Sequence, residues 1–431
     1  MNILIKNTRV LTMEEPVCIV EDTNVGISED NILFVGDIPD GFSADEVLDG
    51  KDKLVMPGLV NAHTHIGMSL FRNYAEDLAF WPWLTEKILP LEEHLIPEHV
   101  YAGSLLSQVE MIRFGVTSFA DMYFFMDETA RATEKSGMRG LLARSVVSGD
   151  EQDKKLREML DLHKNWHNKA DGRISVCASP HAIYSCNKEY IREIIAEAKT
   201  RNMLIHTHLS ETTQEVDDCK REHGMSPVEY LESLGMFELK TMGAHGIYLS
   251  SKDMDLLKTY DVSVINNPTS NLKLGNGFAP VKQLLEKGVN VALGTDGSAS
   301  NNNLNLMEEM NLAGILNKGV EKDSTVVSSV QAVSMATING AKAMGLEKVG
   351  KLLPGWKADM IMIDLNRPHY FPRFELIASL VYSAQASDVD TVIIDGKIIM
   401  KNREILTVDV EKACFECERM AKDLVRRGGV R

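Results

Sequence analysis

The sequence has no long apolar run. Nothing in its 431 residues approaches the ~18 consecutive apolar residues of a membrane-crossing helix. The opening MNILIKNTRVLTM is too short in its apolar part for a signal peptide and reads as a strand. Cationic residues are outnumbered, 46 Lys and Arg against 62 Asp and Glu, for a formal charge of −16. Nucleic-acid backbones and anionic membranes recruit basic patches, so neither is an expected partner, and the excess charge reads as solubility. Cysteine is scarce, with six residues at 18, 177, 186, 219, 414 and 417. That scatter is no disulfide framework, and a cytoplasmic protein with reduced thiols is expected. Cys414 and Cys417 form a C-x-x-C inside the helix-like CFECERMAKDLVRR, but a zinc site needs a second ligand pair nearby, and none is there. A glycine-rich phosphate loop after the first strand is also missing, which disfavours a doubly wound dinucleotide fold.

What is present is a change of texture along the chain. The first fifty residues alternate short β-like runs with turns, and the same texture returns after residue 350 in GKLLPGWKADMIMIDL and DTVIIDGKIIMKNREI. Between residues 54 and 296 lie eight short apolar runs: LVMPGLVNAHTH, VTSFADM, RGLLARSVV, ISVCASPHA, LIHTHLSE, TMGAHGIYL, VSVINNP and VNVALGTD. Amphipathic segments such as KEYIREIIAEAKTRN and PVKQLLEKG separate several of them. The expected class is α/β: a (β/α)8 TIM-type barrel over 54–350, with a small β-sandwich domain built from both chain ends, 1–53 and 351–408, and a helical tail over 409–431. Such a barrel carries its active site at the C-terminal ends of its strands.

Polar residues gather at those ends. His63 and His65 close the first run, two residues apart and so on one face of a strand. His181 closes the fourth run, His208 the fifth with Glu211 three residues on, His245 the sixth and Asp296 the eighth. Three imidazoles and a carboxylate suit zinc or a similar divalent ion with room for a water, whose pKa the ion lowers towards ~7. The fifth run repeats H-x-H. His208 lies nearer the mouth and Glu211, which leaves His206 as a packing residue or a support one layer deeper.

These residues carry a resemblance. PGLVNAHTHIGM, HLSET, GAHG, NPTSNLKLGNG and LGTDGSASNN resemble the amidohydrolase superfamily, in its methylthioadenosine/S-adenosylhomocysteine deaminase branch. The likeness spans nearly the whole chain, and FWPWLTEKILPLEEHL at 80–95 is its most branch-specific part. The resemblance implies His63, His65, His208 and Asp296 as ligands of one divalent ion, zinc first among the candidates. The bridging lysine of binuclear relatives has no counterpart in ISVCASPHA. It implies that Asp296 takes a proton from the attacking water with help from His245. Glu211 then protonates the ring nitrogen beside the attacked carbon. Glu92 would hold the ribose hydroxyls, His181 the nucleoside near its base, and Arg144 the carboxylate of S-adenosylhomocysteine. The substrate is then a small nucleoside, deaminated to its inosine analogue with release of ammonia. Self-association stays open.

The pattern has departures. A second arginine expected after the third strand is replaced by Lys155 or Arg157, with the alignment undecided, and Tyr248 after GAHG stands where relatives carry a histidine and receives no role. Trp81 and Trp83 read equally as core or as pocket wall. The metal motifs are shared with guanine deaminases and triazine hydrolases, so those activities are the alternatives. A non-catalytic metal-stabilised scaffold would have no use for Glu211 and His245.

Overall fold

The computed structural model describes residues 1–429. Its two chain ends meet in one nine-stranded sheet. The order across it is Glu404–Ile405, Lys397–Lys401, Val389–Ile394, Met360–Asp364, Lys53–Pro57, Asn2–Leu11, Ile19–Ser28 and Asn31–Val35, with Glu46–Asp49 added parallel to Asn2–Leu11. The seam between the ends is the antiparallel pairing of Met360, Ile361 and Met362 with Pro57, Met56 and Val55. Alternate residues supply the core, with Ile3 and Ile5, Val25 and Ile27, and Met360 and Met362 in one apolar cluster, as the period of a strand requires.

The sheet folds over that cluster. The Ile32 N–H donates to Trp356 O at 2.8 Å and the Ala358 N–H to Asp30 O at 2.9 Å, so the N-terminal arm lies against the C-terminal one. This doubled sheet is the small sandwich. Its Asp395–Gly396 turn has both residues at positive φ, 51° and 70°, the two-residue geometry that matches strand twist. A Cβ on Gly396 would sit 1.7 Å from Glu29 O, so the contact between the arms requires glycine.

Eight parallel strands follow inside this frame: Leu59–Thr64, Val116–Tyr123, Arg139–Val146, Ile174–Val176 continued by Ser179–Pro180, Ile205–Leu209, Thr241–His245, Ser263–Asn266 and Val291–Leu293. Each coincides with one of the eight apolar runs, the second strand reaching one residue past VTSFADM to Tyr123. The first four ladders and the last four close on each other through His206 N–H to Ala178 O (2.9 Å) and Asp296 N–H to His63 O (3.0 Å). Small and medium side chains, Ala120, Leu141, Ala143, Cys177, Ile265 and Ala292, fill the lumen below the site. The barrel starts later than the expected residue 54. Lys53–Pro57 still belongs to the terminal sheet, where it pairs with Asn2–Leu11 and Met360–Asp364. The chain changes layers at Gly58, where a Cβ would meet Thr117 at 2.2 Å.

Helix starts follow their side-chain caps. Asn187 accepts from the Tyr190 N–H ahead of Lys188–Arg201, whose Tyr190, Ile191, Ile194, Ile195 and Ala198 form the buried stripe. The C-terminal helix Val410–Arg427, capped by Asp409, packs on Pro97–Arg113, with His99 Nε2 3.1 Å from Asp423. Cys417 is buried in that contact and Cys414 is exposed. All six cysteines are free of disulfides, and of the C-x-x-C pair only Cys417 belongs to the packing. No helix among the described residues is long and apolar enough to cross a membrane.

Candidate active site

The strand ends bring the expected metal residues to one point. The rings of His63 and His65 are 4.9 Å apart, His65 Nε2 lies 3.3 Å from His208 Nε2, and Asp296 Oδ1 lies 3.2 Å from His65 Nε2 and 3.4 Å from His63 Nε2. Two overlapping groups of donor atoms result, His63/His65/His208 and His63/His245/Asp296, each with its atoms within 4.8 Å. The second nitrogen of each ring is occupied elsewhere. His65 Nδ1 is 2.6 Å from Met122 O, His208 Nδ1 is 2.9 Å from His181 O, and His63 Nδ1 is 2.9 Å from His206 Nε2. The two carbonyls can only accept, so Nδ1 of His65 and His208 carries the proton and the Nε2 lone pairs face the common centre.

One atom tests the fit of a cation directly. His63 Nε2 is buried and has no hydrogen-bond partner, an orphan that a metal ion would satisfy. Burial drives the His63 pKa down to about 4 and that of His208 well below the usual imidazole range, so both are neutral donors. Burial acts the same way on His65, but its bonds to Asp296 and Met122 override it and hold the ring up at about 9. A divalent ion at the same point competes with that proton, since ligand imidazoles must be unprotonated. The donor set fits a divalent ion.

The carboxylates are placed by further bonds. Asp296 Oδ2 accepts from Ser270 Oγ (2.6 Å) and Ser300 Oγ (3.0 Å), which leaves Oδ1 towards the histidines. Asp296 and His245 both have positive φ, 61° and 76°, a conformation costing a non-glycine residue on the order of 1 kcal/mol or more that clusters at functional sites. Glu211 follows the fifth strand, and a helix cap fixes it. Thr212 accepts from the Glu215 N–H, and the Glu215 carboxylate reaches back to the N–H groups of Ser210 and Glu211. Glu211 Oε1 accepts from Asn276 Nδ2 at 2.9 Å, and its other oxygen lies 3.8 Å from His245 Nε2. Burial raises its pKa to about 7. His245 Nδ1 is held 2.8 Å from Asn271 Oδ1.

A cavity of about 480 Å³ opens above these groups, walled by Glu92, Tyr123, His181, Trp81, Trp83, Phe124 and Tyr184 among others. Both tryptophans therefore face the cavity. Glu92 takes a 2.6 Å hydrogen bond from Tyr123 Oη, and burial pushes its pKa up to about 7 against that bond. It sits at the end of an irregular helical stretch, Phe80–Pro82, Trp83–Ile88 and Leu89–Glu92, whose middle part is a π-turn. Pro90 has no N–H to donate into that turn, which explains the wider winding. His181 lines the wall, is driven down to about 3 by burial, and hydrogen-bonds Ser185 through Nδ1.

Arg144 is not in this wall. On the third strand Leu141 and Ala143 point into the lumen and Ser145 into the cavity, so alternation turns Arg144 outward. Its guanidinium pairs with Glu158 at 2.8 Å and lies over the Phe124 ring, behind the cavity lining. Lys155 and Arg157 belong to the helix Gln152–Trp166 and do not line the cavity either. His206 is fully buried one layer below, supporting His63. Tyr248, given no role above, donates to Asn276 O at 2.6 Å and so braces the asparagine that holds Glu211. The sequence reading also passed over Tyr123, Ser270, Asn271, Asn276 and Ser300. The polar-dense NPTSNLKLGNG was a usable signal for three of them.

Residues 54–399 match the amidohydrolase family. Over 99% of the chain and 100% of the other protein, the sequence is 51% identical to a 5-methylthioadenosine/S-adenosylhomocysteine deaminase of Thermoanaerobacter pseudethanolicus. An adenosine deaminase of Xanthomonas campestris, solved with bound zinc, superposes with a TM-score of 0.94 at 32% identity, covering 98% of each chain. An atrazine chlorohydrolase of Arthrobacter aurescens complexed with zinc reaches 0.91 at 22% identity over 97% of this chain and all of its own, a likeness of fold alone. The chain belongs to the amidohydrolase family, on the branch of the proteins named 5-methylthioadenosine/S-adenosylhomocysteine deaminase.

Proposed function

We propose that the protein is a zinc-dependent hydrolytic deaminase that converts 5′-methylthioadenosine and S-adenosylhomocysteine to their inosine analogues and ammonia. One observation carries the reading: a buried acid with its pKa near 7, Glu211, faces the same cavity as a convergent His/His/His/Asp cluster. A structural metal site has no use for a proton donor beside it. His63, His65, His208 and Asp296 would hold the ion, which supplies a water acidic enough to attack at neutral pH.

The residues divide the remaining work. Glu211 delivers a proton to the ring nitrogen next to C6, so the ring accepts the electrons of the new C–O bond. Asp296 and His245 take up the proton that the water loses and pass it to the departing amine. The C6–N bond then breaks and the amine leaves as ammonia. Glu92, oriented by Tyr123, receives the ribose hydroxyls, and His181 stands beside the base. The apolar wall of Trp81, Phe124 and Tyr184 receives the 5′ thioether. Arg144 stays the candidate for the amino-acid carboxylate, which it reaches by giving up Glu158. The free cysteines fit a cytoplasmic enzyme.

The test is ammonia release from methylthioadenosine, S-adenosylhomocysteine, adenosine and guanine, with chloride release from atrazine alongside. The adenosine thioethers should be turned over most efficiently. Preference for guanine or atrazine would replace this reading with another of the same fold.

A further inference from the structure

We propose that Glu309, which lies outside the metal cluster and the cavity wall, is the positioning residue that holds the two loops gripping Asp296 in register. Glu309 is fully buried on the helix Leu306–Glu321. Its two oxygens serve two different segments. Oε2 accepts the Thr269 N–H at 3.0 Å, and Oε1 accepts Asn301 Nδ2 at 2.6 Å.

Each segment leads directly to the site. Thr269 precedes Ser270, whose hydroxyl donates to Asp296 Oδ2, and Asn271, which holds His245. Asn301 also donates to Thr295 O at 2.7 Å and follows Ser300, the second hydroxyl on Asp296 Oδ2. One carboxylate thus sets the spacing between the helix Pro268–Lys273 and the turn 295–301, which reach Asp296 together. Asp296 holds a positive φ, so its side-chain direction depends on these outside supports.

A purely structural account fits the residue poorly. The nearest buried neighbours on the same helix, Leu306, Met307, Met310 and Ala313, are apolar, with the buried Asn317 two turns further on, and no lysine or arginine pairs with Glu309 among the described residues. A buried acid without a cation is less stabilising than an apolar side chain of similar volume. Its place there is explained by what its two oxygens hold. The kinetic part of the proposal rests on the deaminase reading, whereas the metal part does not.

Glu309→Ala, Glu309→Gln and Met310→Ala are loaded with zinc, and transfer of zinc to a chromophoric chelator is followed well below the melting temperature, with kcat and KM for methylthioadenosine. Glu309→Ala should release zinc roughly 10–100-fold faster and lose a similar factor in kcat, the usual range for groups that orient metal ligands. KM should move by less than about threefold, because the nucleoside contacts are untouched. Glu309→Gln should fall between, since its carbonyl still accepts from Thr269 while its amide cannot accept from Asn301. Met310→Ala, an apolar truncation on the same helix, should lower the melting temperature and leave zinc release and kcat unchanged. Wild-type zinc release and kcat in Glu309→Ala would overturn the proposal, as would equal losses in Met310→Ala. Should the alanine variant fail to fold, wild-type values in Glu309→Gln overturn it instead. A wild-type protein inactive on every nucleoside would sink the deaminase reading and still leave the zinc comparison to decide Glu309.

Discussion

The floor and the outer wall of the cavity are built on different physical terms. On the floor, ring nitrogens and carboxylate oxygens are tied to second partners. Met122 O and His181 O turn the rings of His65 and His208, Ser270 and Ser300 turn Asp296, and Asn276 turns Glu211. On the wall, the irregular stretch Phe80–Glu92 presents mostly apolar surface, with one polar anchor in the Glu92–Tyr123 pair. Directional bonds fix chemistry to within fractions of an ångström, whereas apolar walls select by shape and tolerate change. Mutations on the floor should therefore act on turnover, and mutations on the wall on substrate preference.

Removing the ion breaks the floor outright. Exhaustive chelation should lower ammonia release by roughly 10³-fold or more, because a water of unshifted pKa is no nucleophile at pH 7. Added zinc should restore it in proportion to metal bound, measured by metal analysis on the same samples. Undiminished turnover in metal-depleted protein would remove the floor from the chemistry.

Glu211→Gln sharpens the same side by separating the acid from the ion. Metal content should stay stoichiometric while kcat falls about 10²–10⁴-fold, the usual cost of losing a general acid. The acid form of Glu211 is the one that donates, and burial places its pKa at about 7. Protonated enzyme is thus plentiful below that pH and lost above it. In wild type, kcat/KM should fall close to tenfold per unit above about pH 8, and this limb should be absent from the residual activity of Glu211→Gln. A variant that keeps the wild-type profile would reassign the proton donor.

Tyr123→Phe tests the polar anchor of the Phe80–Glu92 stretch. It removes the hydrogen bond to Glu92 without opening a cavity, and such a bond contributes about 0.5–1.5 kcal/mol to a neutral acid and about 1.5–3 kcal/mol to an ionised one. A loss near tenfold in kcat/KM for nucleosides, carried mostly by KM, is expected. Free adenine, which has no ribose, should lose nothing. Equal losses for both would mean that Tyr123 acts on the base.

The same contrast explains what could be read from the chain. The barrel was legible because eight apolar runs recur between helical segments, and the floor because each motif ends a strand: His63 and His65, His208, His245 and Asp296. Strand order thus turned sequence spacing into spatial convergence. The small domain was legible as two matching β textures, but its limit was not, because LVMPGLV reads as one continuous run. The last pair of the ladder, Pro57 with Met360, shows where the sheet stops. Ser270 and Asn276 stayed hidden since their partners lie 26 and 65 residues away, at separations no short motif encodes, whereas Ser300 stands only 4 residues after its partner Asp296, inside LGTDGSASNN. LLARS also shows why Arg144 lies behind the wall, paired with Glu158. Alternation puts Leu141, Ala143 and Ser145 on one face and the arginine on the other.

That placement sets the smallest expected effect. An arginine in the wall would lose most of the grip on a homocysteine carboxylate when truncated. Arg144 instead spends its charge on Glu158, at 2.8 Å, in a pair whose carboxylate side is 41% exposed. Ion pairs with that much solvent contribute about 0.2–1 kcal/mol. Arg144→Ala should therefore lower the ratio of S-adenosylhomocysteine to methylthioadenosine efficiencies by only about two- to fivefold. Glu158→Gln supplies the opposing arm, since it frees the guanidinium without removing it. If Arg144 swaps partners on binding, this variant should raise the ratio by a similar small factor. A fall well beyond tenfold in Arg144→Ala would show that the pair with the substrate carboxylate is much stronger than the Glu158 pair it replaces, making the wall at this point as directional as the floor. No change in either variant would pass the role to Lys155, the half-buried cation on the adjoining helix.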